Sequence, residues 1–523
     1  MLYRSTRGKC NDYTFEEAVM TGLASDGGLF IPETIPTLPE NVLQDWKNLS
    51  FTDLSFEILS RFIDPTEIPA EDLRKIIKAS YSTFSNDEVT PLVQINKDMD
   101  LWILELFHGP TFAFKDVALQ FLGNLFEFFL KRRNANRKSS SDPVHKLTIV
   151  GATSGDTGSA AIYGLRGKEN VSVFILHPDN RVSPIQKAQM TTVLDDNIHN
   201  VAIKGTFDNC QDTVKELFGI EEFRTKYSLG AINSINWARI LAQIVYYFHA
   251  YFALVKSGKS DPKVVFFTPT GNFGDILAGY YACRLGLPVQ KLVVSTNDND
   301  ILDRFFKTGR YEKGAAGVVE TPSPAMDILV SSNFERLLWY LAYECETDPS
   351  DSRSQVEQAG AQVSKWMEDL KTRSSIAVNP KSLEKAKSIF ASGTTNQEQT
   401  YSAIKSHYDI IPDESKTKYL IDPHTAVGVH LAYTLHDEIS SLINSEKFTS
   451  VCLSTAHPAK FVEAVTSSLA SVSPKFDHNE ILPPQFVGIL DREQRCTVLP
   501  NSTQAGTFCS HCSITILFDL AEL

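Results

Sequence analysis

The stretch HKLTIVGATSGDTGSAAIYGLRGKENVSVFILHP, residues 145–178, decides the fold class. It begins with an apolar strand-like segment, passes through a glycine-bearing turn into a helix of small residues, and ends in a second apolar segment, VSVFILHP. Apolar strands separated by helices of this length are typical of a parallel sheet covered by helices. The same alternation continues through VVFFTPT and KLVVSTND. The sequence therefore predicts an α/β protein with parallel strands.

A second stretch, HGPTFAFKDVALQF at residues 108–121, places Lys115 at the start of a buried helix. Apolar residues follow it at helical spacing, namely Phe114, Val117, Ala118, Phe121, Leu122, Leu125, Phe128 and Phe129. In the first turn, the helix dipole and apolar surroundings both disfavour an ammonium ion, which makes the amine a good nucleophile for Schiff-base chemistry. The alternative is an ordinary lysine whose charged end reaches solvent past the neighbouring aromatic residues.

The loop TPTGNFGD, Thr268–Asp275, follows a predicted strand and opens a helix. Gly271 and Gly274 allow backbone N–H groups to converge at a helix N-terminus, which suits a phosphate. The loop has neither the GxGxxG spacing of a dinucleotide site nor the Lys-Ser/Thr of a P-loop, so a monophosphate is favoured over ATP or NAD. The alternative is a plain glycine turn.

Two further segments follow predicted strands. SGDTG, Ser154–Gly158, offers hydroxyls and backbone donors for a carboxylate or phosphate, although its side chains could instead cap the helix. STAHP, Ser454–Pro458, places a hydroxyl where it could face a ring nitrogen, while His457 suits a structural role as well as a catalytic one. Because the carboxyl ends of parallel strands meet at one edge of a sheet, these loops together predict a binding cleft.

The 523 residues allow two or three domains. We expect residues 1–95 to form an N-terminal helical domain or cap, and residues 96–345 with 416–490 to form an α/β core of two lobes. Residues 346–415 read as a helical insertion at the surface, with polar segments such as ASGTTNQEQ between its helices. The tail, residues 491–523, matches neither a surface helix nor an obvious strand pair.

Composition excludes several classes of function. A net charge of −13 argues against nucleic acid or an anionic membrane as the main partner. No run reaches the roughly 18 apolar residues of a membrane span, and the N-terminus lacks the features of a signal or transit peptide, so we expect a cytoplasmic protein. The eight cysteines are scattered, as in a chain with free thiols. Cys509 and Cys512 have CxxC spacing but no second pair, so no metal site is expected.

Several segments together resemble the fungal-type threonine synthases, a family of fold-type II pyridoxal-phosphate enzymes. They are YRSTRG, GLASDGGLFIP, HGPTFAFKD, SGDTG, NSINWARILAQ, GNFGD and LSTAHPAKF. The resemblance runs from about Tyr3 to Phe461 and beyond, and it ends after about Cys496, where the family has a charged helical segment. It implies a fold like that of the tryptophan synthase β subunit. It also implies conversion of O-phospho-L-homoserine and water into L-threonine and phosphate.

The resemblance also implies roles for individual residues. Lys115 resembles the lysine that bonds to pyridoxal 5′-phosphate, and Thr455 resembles the hydroxyl partner of its ring nitrogen. The cofactor-phosphate loop is Gly271, Asn272, Phe273 and Asp275, in which Asp275 is expected to orient the loop, since like charges repel. The loop expected to hold the substrate carboxylate is Ser154, Gly155, Asp156 and Thr157. The candidates for holding the substrate phosphate are Arg239, Lys187 and Lys460.

Two other functions stay open at this point. A serine/threonine dehydratase or cysteine synthase shares the lysine and the glycine loop but is not expected to have GLASDGGLFIP or the long helical insertion. A non-catalytic protein could keep the fold, although it would not need Lys115. The oligomeric state does not follow from the sequence.

Overall fold

Two helix-covered sheets carry the fold of this computed structural model, which describes residues 1–230, 232–315, 317–410 and 414–499. The strands are β1 (Tyr3–Ser5), β2 (Phe30–Pro32), β3 (Leu92–Asn96), β4 (Leu101–Glu105), β5 (Leu147–Ala152), β6 (Val171–Pro178), β7 (Ile198–Ile203), β8 (Leu229–Gly230), β9 (Val264–Pro269), β10 (Val289–Thr296), β11 (Arg310–Glu312), β12 (Ser375–Ala377), β13 (Phe390–Thr394), β14 (Thr449–Ser454) and β15 (Thr497–Leu499).

The helices surround these strands. They are α1 (Phe15–Thr21), α2 (Val42–Trp46), α3 (Phe51–Leu59), α4 (Ala70–Tyr81), α5 (Lys115–Ala135), α6 (Asp156–Leu165), α7 (Pro184–Thr191), α8 (Phe207–Gly219), α9 (Glu221–Lys226), α10 (Trp237–Lys256), α11 (Gly274–Leu285), α12 (Ile301–Thr308), α13 (Phe334–Cys345), α14 (Gln355–Thr372), α15 (Pro380–Ile389), α16 (Gln397–Tyr408), α17 (Pro423–Thr434), α18 (His436–Leu442) and α19 (Val462–Leu469).

The larger sheet has the strand order β13-β10-β9-β14-β4-β3, and the smaller one has the order β15-β7-β6-β5-β8. Every pairing in the two sheets is parallel except that of β3 with β4. The stretch that decided the fold class forms β5, α6 and β6, with β5 and β6 side by side in the smaller sheet. The predicted parallel, helix-covered architecture is confirmed.

Helices α5 and α6 pack closely because each carries a glycine at their contact. A Cβ atom at Gly123 would lie 2.0 Å from the carbonyl oxygen of Gly164, and a Cβ at Gly164 would lie 2.6 Å from that of Leu119. Any larger side chain would push the two helices apart, since a backbone carbonyl cannot move away as a flexible side chain can. The contact matters for function because Lys115 begins α5 and Asp156 begins α6.

Helix α10 lies at the centre of the structure. Among the described residues it is the one helix long and apolar enough to cross a membrane by length and composition, but 89% of that window is buried inside the protein. Its aromatic residues pack on several neighbouring elements, as Trp237 does against Tyr3 of β1 and Phe62. This burial is typical of a core helix in a large domain.

The polar segment ASGTTNQEQ was predicted to connect two helices, but its first part belongs to a strand. Residues Phe390–Thr394 form β13, which pairs in parallel with β10 at the edge of the larger sheet. Phe390 is buried and packs against Phe273 and Phe306, with ring centroids 5.8 and 5.1 Å away. The burial of Phe390 and the backbone hydrogen bonds to β10 therefore stabilise a strand here, although the side chains that follow Phe390 are polar. The insertion predicted at 346–415 thus contributes a strand to the core, and the division into domains stays a prediction.

Strands also occur in two regions where none was predicted. The N-terminal region, interpreted as helices, contains the antiparallel pair β1 and β2. The tail contains β15, which pairs in parallel with β7 and extends the smaller sheet. These strands have three residues each, too few for a sequence periodicity to reveal them. Cys509 and Cys512 lie outside the described residues.

Candidate active site

Lys115 faces a cleft of about 2980 Å³ that is lined by residues at the carboxyl ends of β5, β9 and β14. It is the first residue of α5, as the sequence predicted, and only 9% of it is exposed. Burial lowers the pKa of its amine to about 8; Asp156 opposes this change, while the charges of Lys460 and Arg239 add to it. An amine with such a pKa is partly neutral near pH 7–8, as a nucleophile or proton acceptor must be.

The turn before α5 is fixed to the first turn of that helix by Asp116. Its carboxylate accepts hydrogen bonds from the backbone amide of Thr111 at 2.8 Å and from the Thr111 hydroxyl at 2.7 Å. A Cβ atom at Gly109 would lie 2.3 Å from the Cβ of Asp116, so only glycine fits there. The Phe114 amide donates to the carbonyl oxygen of Thr455 at 2.8 Å. These contacts determine where the Lys115 side chain leaves the backbone.

Asp156 is the first residue of α6 and lies between two lysines. Its Oδ1 accepts hydrogen bonds from Lys460 Nζ at 2.6 Å and from Gln186 Nε2 at 2.8 Å. Its Oδ2 is 3.9 Å from Lys115 Nζ. Burial by itself raises the pKa of Asp156, but the charges of Lys460 and Lys115 outweigh that effect and hold it well below its usual range. Asp156 is therefore an ionised acceptor at the cleft.

The loop before α6 is held by Thr153, a residue that sequence reasoning missed. Thr153 Oγ1 accepts hydrogen bonds from the backbone amides of Gly155 at 3.0 Å and Gly158 at 2.9 Å. Gly155, the N-cap residue of α6, makes no side-chain cap hydrogen bond, and it is the Thr153 hydroxyl that accepts from an amide of the first turn, that of Gly158. Ser154 and Thr157 both line the cleft.

The glycine loop before α11 has its carbonyl oxygens bound by a neighbouring segment. Gly271 O accepts a hydrogen bond from Ser331 Oγ at 2.7 Å. Asn272 O accepts from both the backbone amide and the side-chain Nδ2 of Asn333, each at 3.0 Å. With these carbonyls engaged, the loop amides and the N-terminus of α11 are the groups that remain for an anion.

Phe273 contributes its backbone to this loop and its side chain to the core. Its φ of 60° is left-handed, which is uncommon for an aromatic residue. Its ring is buried and packs edge-on against Phe334, with centroids 5.2 Å apart. A Cβ at Gly271 would lie 2.9 Å from the Ala325 carbonyl oxygen. The loop is thus held in one conformation by packing on both sides.

Thr455 follows β14 directly and lines the cleft. The preceding hydroxyl, that of Ser454, lies 2.9 Å from Thr425 Oγ1 in the core. For Thr455 Oγ1, the described residues supply no such partner. The Thr455 hydroxyl is therefore the one available to a ring nitrogen in the cleft.

The contacts of His457 indicate a structural role. Its Nδ1 accepts a hydrogen bond from the backbone amide of Ala459 at 3.2 Å, and its ring packs edge-on against Phe107 and Phe112. Burial, together with the smaller effect of the His108 charge, lowers the pKa of His457 to about 4. The imidazole is therefore neutral at physiological pH and holds this loop together.

The three cations considered for a substrate phosphate lie in different environments. Arg239 lines the cleft, is 3% exposed, and donates from Nη1 to the Ile232 carbonyl at 3.3 Å. Its Nε has no partner among the described residues, and burial lowers its pKa to about 10. Lys187 is 3.9 Å from Asp179 and is absent from the cleft lining that the described chain provides. Lys460 lines the cleft but already donates to Asp156.

Comparison with known proteins gives three family matches that together span most of the chain. Residues 2–81 match the model "Threonine synthase N terminus". Residues 84–383, more than half of the chain, match "Pyridoxal-phosphate dependent enzyme", and residues 425–507 match "Threonine synthase, C-terminal".

The chain belongs to the threonine synthase family.

Relatives and solved structures agree with this assignment. A threonine synthase of Schizosaccharomyces pombe is 53% identical over 503 residues, covering 94% of each chain, and one of Saccharomyces cerevisiae is 52% identical, covering 93% of this chain and 92% of its own. The crystal structure of threonine synthase from yeast superposes with a TM-score of 0.90 at 49% identity, covering 100% of this chain and 99% of the other. The structure of PLP-bound threonine synthase from Brucella melitensis gives 0.83 at 39% identity, covering 100% and 98%.

The resemblance noted in the sequence is therefore confirmed, as is the fold-type II architecture. The cofactor of this pyridoxal-phosphate-dependent lyase is pyridoxal 5′-phosphate. The cleft fits that group: it offers a buried amine for the aldehyde, a loop of amides for the phosphate and a free hydroxyl for the ring nitrogen. The match to the C-terminal family model reaches residue 507, beyond the point after Cys496 where the resemblance was expected to end.

The sequence did not reveal a histidine–aspartate pair, His424 and Asp422, beside the cleft. His424 Nδ1 lies 2.9 Å from Asp422 Oδ1, and His424 Nε2 accepts a hydrogen bond from the Ala325 amide at 3.1 Å. The pair thus fixes the segment that packs on the glycine loop. The sequence DPHT carried a partial signal, since Asp422 caps α17 with Pro423 in its first turn.

Asp275 has one buried oxygen without a partner. Its Oδ1 accepts hydrogen bonds from the hydroxyls of Tyr246 and Tyr247, whereas Oδ2 is buried and has no partner among the described residues. Burial raises the pKa of Asp275 to about 7, although the two tyrosine hydrogen bonds lower it. In the folded protein this carboxyl keeps a proton that an exposed aspartate would release.

We expect Asp275→Asn to stabilise the cofactor-free protein more strongly at high pH than at low pH. Between the ordinary pKa of 3.8 and about 7, the folded chain binds a proton that the unfolded chain does not, so the stability that this group supplies is lost as the pH rises through that window. Asparagine keeps the shape without titrating. Thermal unfolding should show an advantage for the variant that is about 3 kcal/mol larger at pH 8 than at pH 5. An advantage independent of pH would contradict the prediction.

Proposed function

We propose that this chain catalyses phosphate elimination from O-phospho-L-homoserine followed by addition of water, which gives L-threonine. The observation that carries the proposal is the cleft itself, where a buried amine with a pKa of about 8 lies 3.9 Å from an ionised carboxylate and faces a phosphate-type loop. The names of the relatives support the same reaction. An elimination enzyme needs an amine of this kind at the reacting carbons.

We assign the cofactor contacts as follows. Lys115 bonds to the aldehyde, the amides of the loop Gly271, Asn272 and Phe273 hold the phosphate, and Thr455 holds the ring nitrogen. Bound there, the cofactor ring acts as a sink for the electrons released at the substrate carbons. A hydroxyl partner leaves the ring nitrogen without the proton that a carboxylate partner would favour. Asp275 supports the loop from the side of α11.

The Lys115 amine carries protons between neighbouring carbons of the substrate. With the cofactor bound, the neutral amine freed from the aldehyde would take the proton from Cα. A second proton would then leave Cβ, and phosphate would leave Cγ with its bonding electrons. Cγ would receive one proton, water would supply a hydroxyl to Cβ, and Cα would regain a proton, while the remaining proton leaves with the phosphate. Because the amine faces the cleft and has a pKa of about 8, it can serve several of these transfers.

We assign the substrate's two anionic ends to two different groups of residues that line the cleft. The loop of Ser154, Gly155 and Thr157 offers hydroxyl and backbone donors for the α-carboxylate, and Asp156 is an acceptor for the substrate nitrogen or its protons. Arg239 is the best candidate for the phosphate, because it is a buried guanidinium that lines the cleft and has no carboxylate partner among the described residues. We do not assign the substrate phosphate to Lys187, because it is absent from the cleft lining that the described residues provide.

The test is product analysis with the purified chain, added pyridoxal phosphate and O-phospho-L-homoserine. We expect threonine and inorganic phosphate in equal amounts. Homoserine, which lacks the phosphate leaving group, is the matched control and should give no threonine. Abundant 2-oxobutyrate without threonine would assign the chain to the dehydratase class. Bound cofactor without any product would support a non-catalytic protein.

We also propose that the protein works in the cytoplasm on a small amino-acid substrate, without a nucleic-acid or membrane partner. The net charge of −13 supports this proposal, since it disfavours anionic surfaces. The six described cysteines are all free thiols, as expected in a reducing compartment.

A further inference from the structure

Lys460 is a buried cation that joins three separate parts of the site. Its side chain is 0% exposed, and its Nζ donates to Asp156 Oδ1 at 2.6 Å and to the Thr111 carbonyl oxygen at 2.8 Å. Asp156 begins α6, Thr111 lies in the turn before α5, and Lys460 itself follows β14. One ammonium group thus ties the strand end that carries Thr455 to the helices that carry Lys115 and Asp156.

The two lysines beside Asp156 differ in what the reaction requires of them. Lys115 must lose its proton to attack the aldehyde or to accept a proton from substrate. Lys460 instead makes two contacts within the protein, a charge-assisted contact with Asp156 Oδ1 at 2.6 Å and a hydrogen bond to the Thr111 carbonyl oxygen at 2.8 Å. Without Lys460, Asp156 would be a buried carboxylate with no cationic partner each time Lys115 became neutral and would keep only the hydrogen bond from Gln186, which is strongly unfavourable.

We propose that Lys460 is a positioning residue that keeps Asp156 ionised and in place while Lys115 changes its charge during the reaction. This inference rests on the proposed role of Lys115. Lys460 touches neither substrate nor cofactor in this scheme, and it acts through Asp156.

The charges around Lys115 determine the sign of the expected effects. Asp156 of α6 attracts the ammonium form, whereas Lys460 and Arg239 repel it; Asp116 of its own helix also attracts it. Asp275 of α11 faces it from the glycine loop. Removing the charge of Lys460 should therefore raise the pKa of Lys115, and removing that of Asp156 should lower it.

The experiment measures how fast pyridoxal phosphate attaches to the cofactor-free full-length chain at different pH values, followed by visible absorbance. Attachment requires the neutral amine of Lys115, so the rate should rise with a midpoint near pH 8 in the original chain. We expect Lys460→Met to move this midpoint up by about 1 pH unit and Asp156→Asn to move it down by a similar amount. The double variant, which removes both charges, should return to an intermediate midpoint.

A matched control is Lys307→Met, which removes the lysine of another lysine–aspartate pair, Lys307 Nζ to Asp303 Oδ2 at 2.7 Å, outside the cleft. It should leave the midpoint unchanged. If Lys460→Met does not fold, Lys460→Arg, which keeps a cation beside Asp156, is compared with Asp156→Asn: the arginine variant should keep the midpoint of the original chain, and the asparagine variant should lower it. Equal midpoints in the original chain and in Asp156→Asn would overturn the inference. Failure of the original chain to attach the cofactor would instead overturn the role of Lys115.

Discussion

Replacing Lys115 with alanine should lower threonine formation at least about 10³-fold, because one change removes both the covalent link to the cofactor and the principal proton carrier. The amine is buried in the cleft, and Lys460, the other lysine beside Asp156, is held by Asp156 and Thr111. The variant should also lack the cofactor that borohydride traps covalently on the protein.

The measurement pairs steady-state rates with mass spectrometry after borohydride treatment. Lys75→Ala is a suitable control, because Lys75 lies on α4, has a side chain that is 66% exposed and pairs with the surface carboxylates of Glu71 and Asp72. That variant should keep full activity and the trapped adduct. Substantial turnover by the Lys115 variant would disprove the mechanism, whatever the product.

Gly123→Ala should destabilise the protein by about 3 kcal/mol, at the upper end of the cost of overpacking a core. The added methyl carbon would start 2.0 Å from the Gly164 carbonyl oxygen, so the helices α5 and α6 must separate. Since Lys115 and Asp156 begin these two helices, their 3.9 Å separation should also increase. We therefore expect a lower midpoint in thermal or denaturant unfolding together with weaker cofactor binding.

Gly219→Ala is the corresponding control. This glycine is the last residue of α8, and a Cβ there would meet nothing within 4 Å. Its stability should change by no more than about 1 kcal/mol, in the stabilising direction if at all. If Gly123→Ala changed the stability as little as this control, the close packing of α5 on α6 would not be what positions Lys115 and Asp156.

The parts of the site that the sequence predicted are those with a strong local pattern. Lys115 was placed correctly because apolar residues repeat with helical spacing over about four turns, from Phe114 to Phe129. The loops before α6 and α11 were found because each follows an unbroken apolar strand and contains glycines. In parallel sheets such loops lie at one edge, so their meeting in a cleft followed from the topology.

The parts that could not be predicted depend on partners distant in sequence. Lys460 was considered for a substrate phosphate, because nothing in AHPAKF reveals that Asp156 and Thr111 would surround its ammonium group. Thr153 was overlooked beside Ser154, since either hydroxyl could serve the same turn. The strand β13 was taken for a polar connection because its stability comes from a backbone ladder with β10 and one buried ring, that of Phe390.

The position of β14 in the larger sheet has a consequence for how the chain is made. It lies between β9 and β4, so the two halves of that sheet are joined only by a strand that the ribosome releases near the end of synthesis. Thr449 then donates to Asp100 at 2.5 Å across 349 residues of sequence. Until that moment β4 and β9 each have an open edge, and Thr455 has not yet reached Lys115. A nascent chain interrupted before residue 449 therefore lacks both Thr455 and Lys460, and with them the hydroxyl that faces the cleft and the ammonium group that holds Asp156.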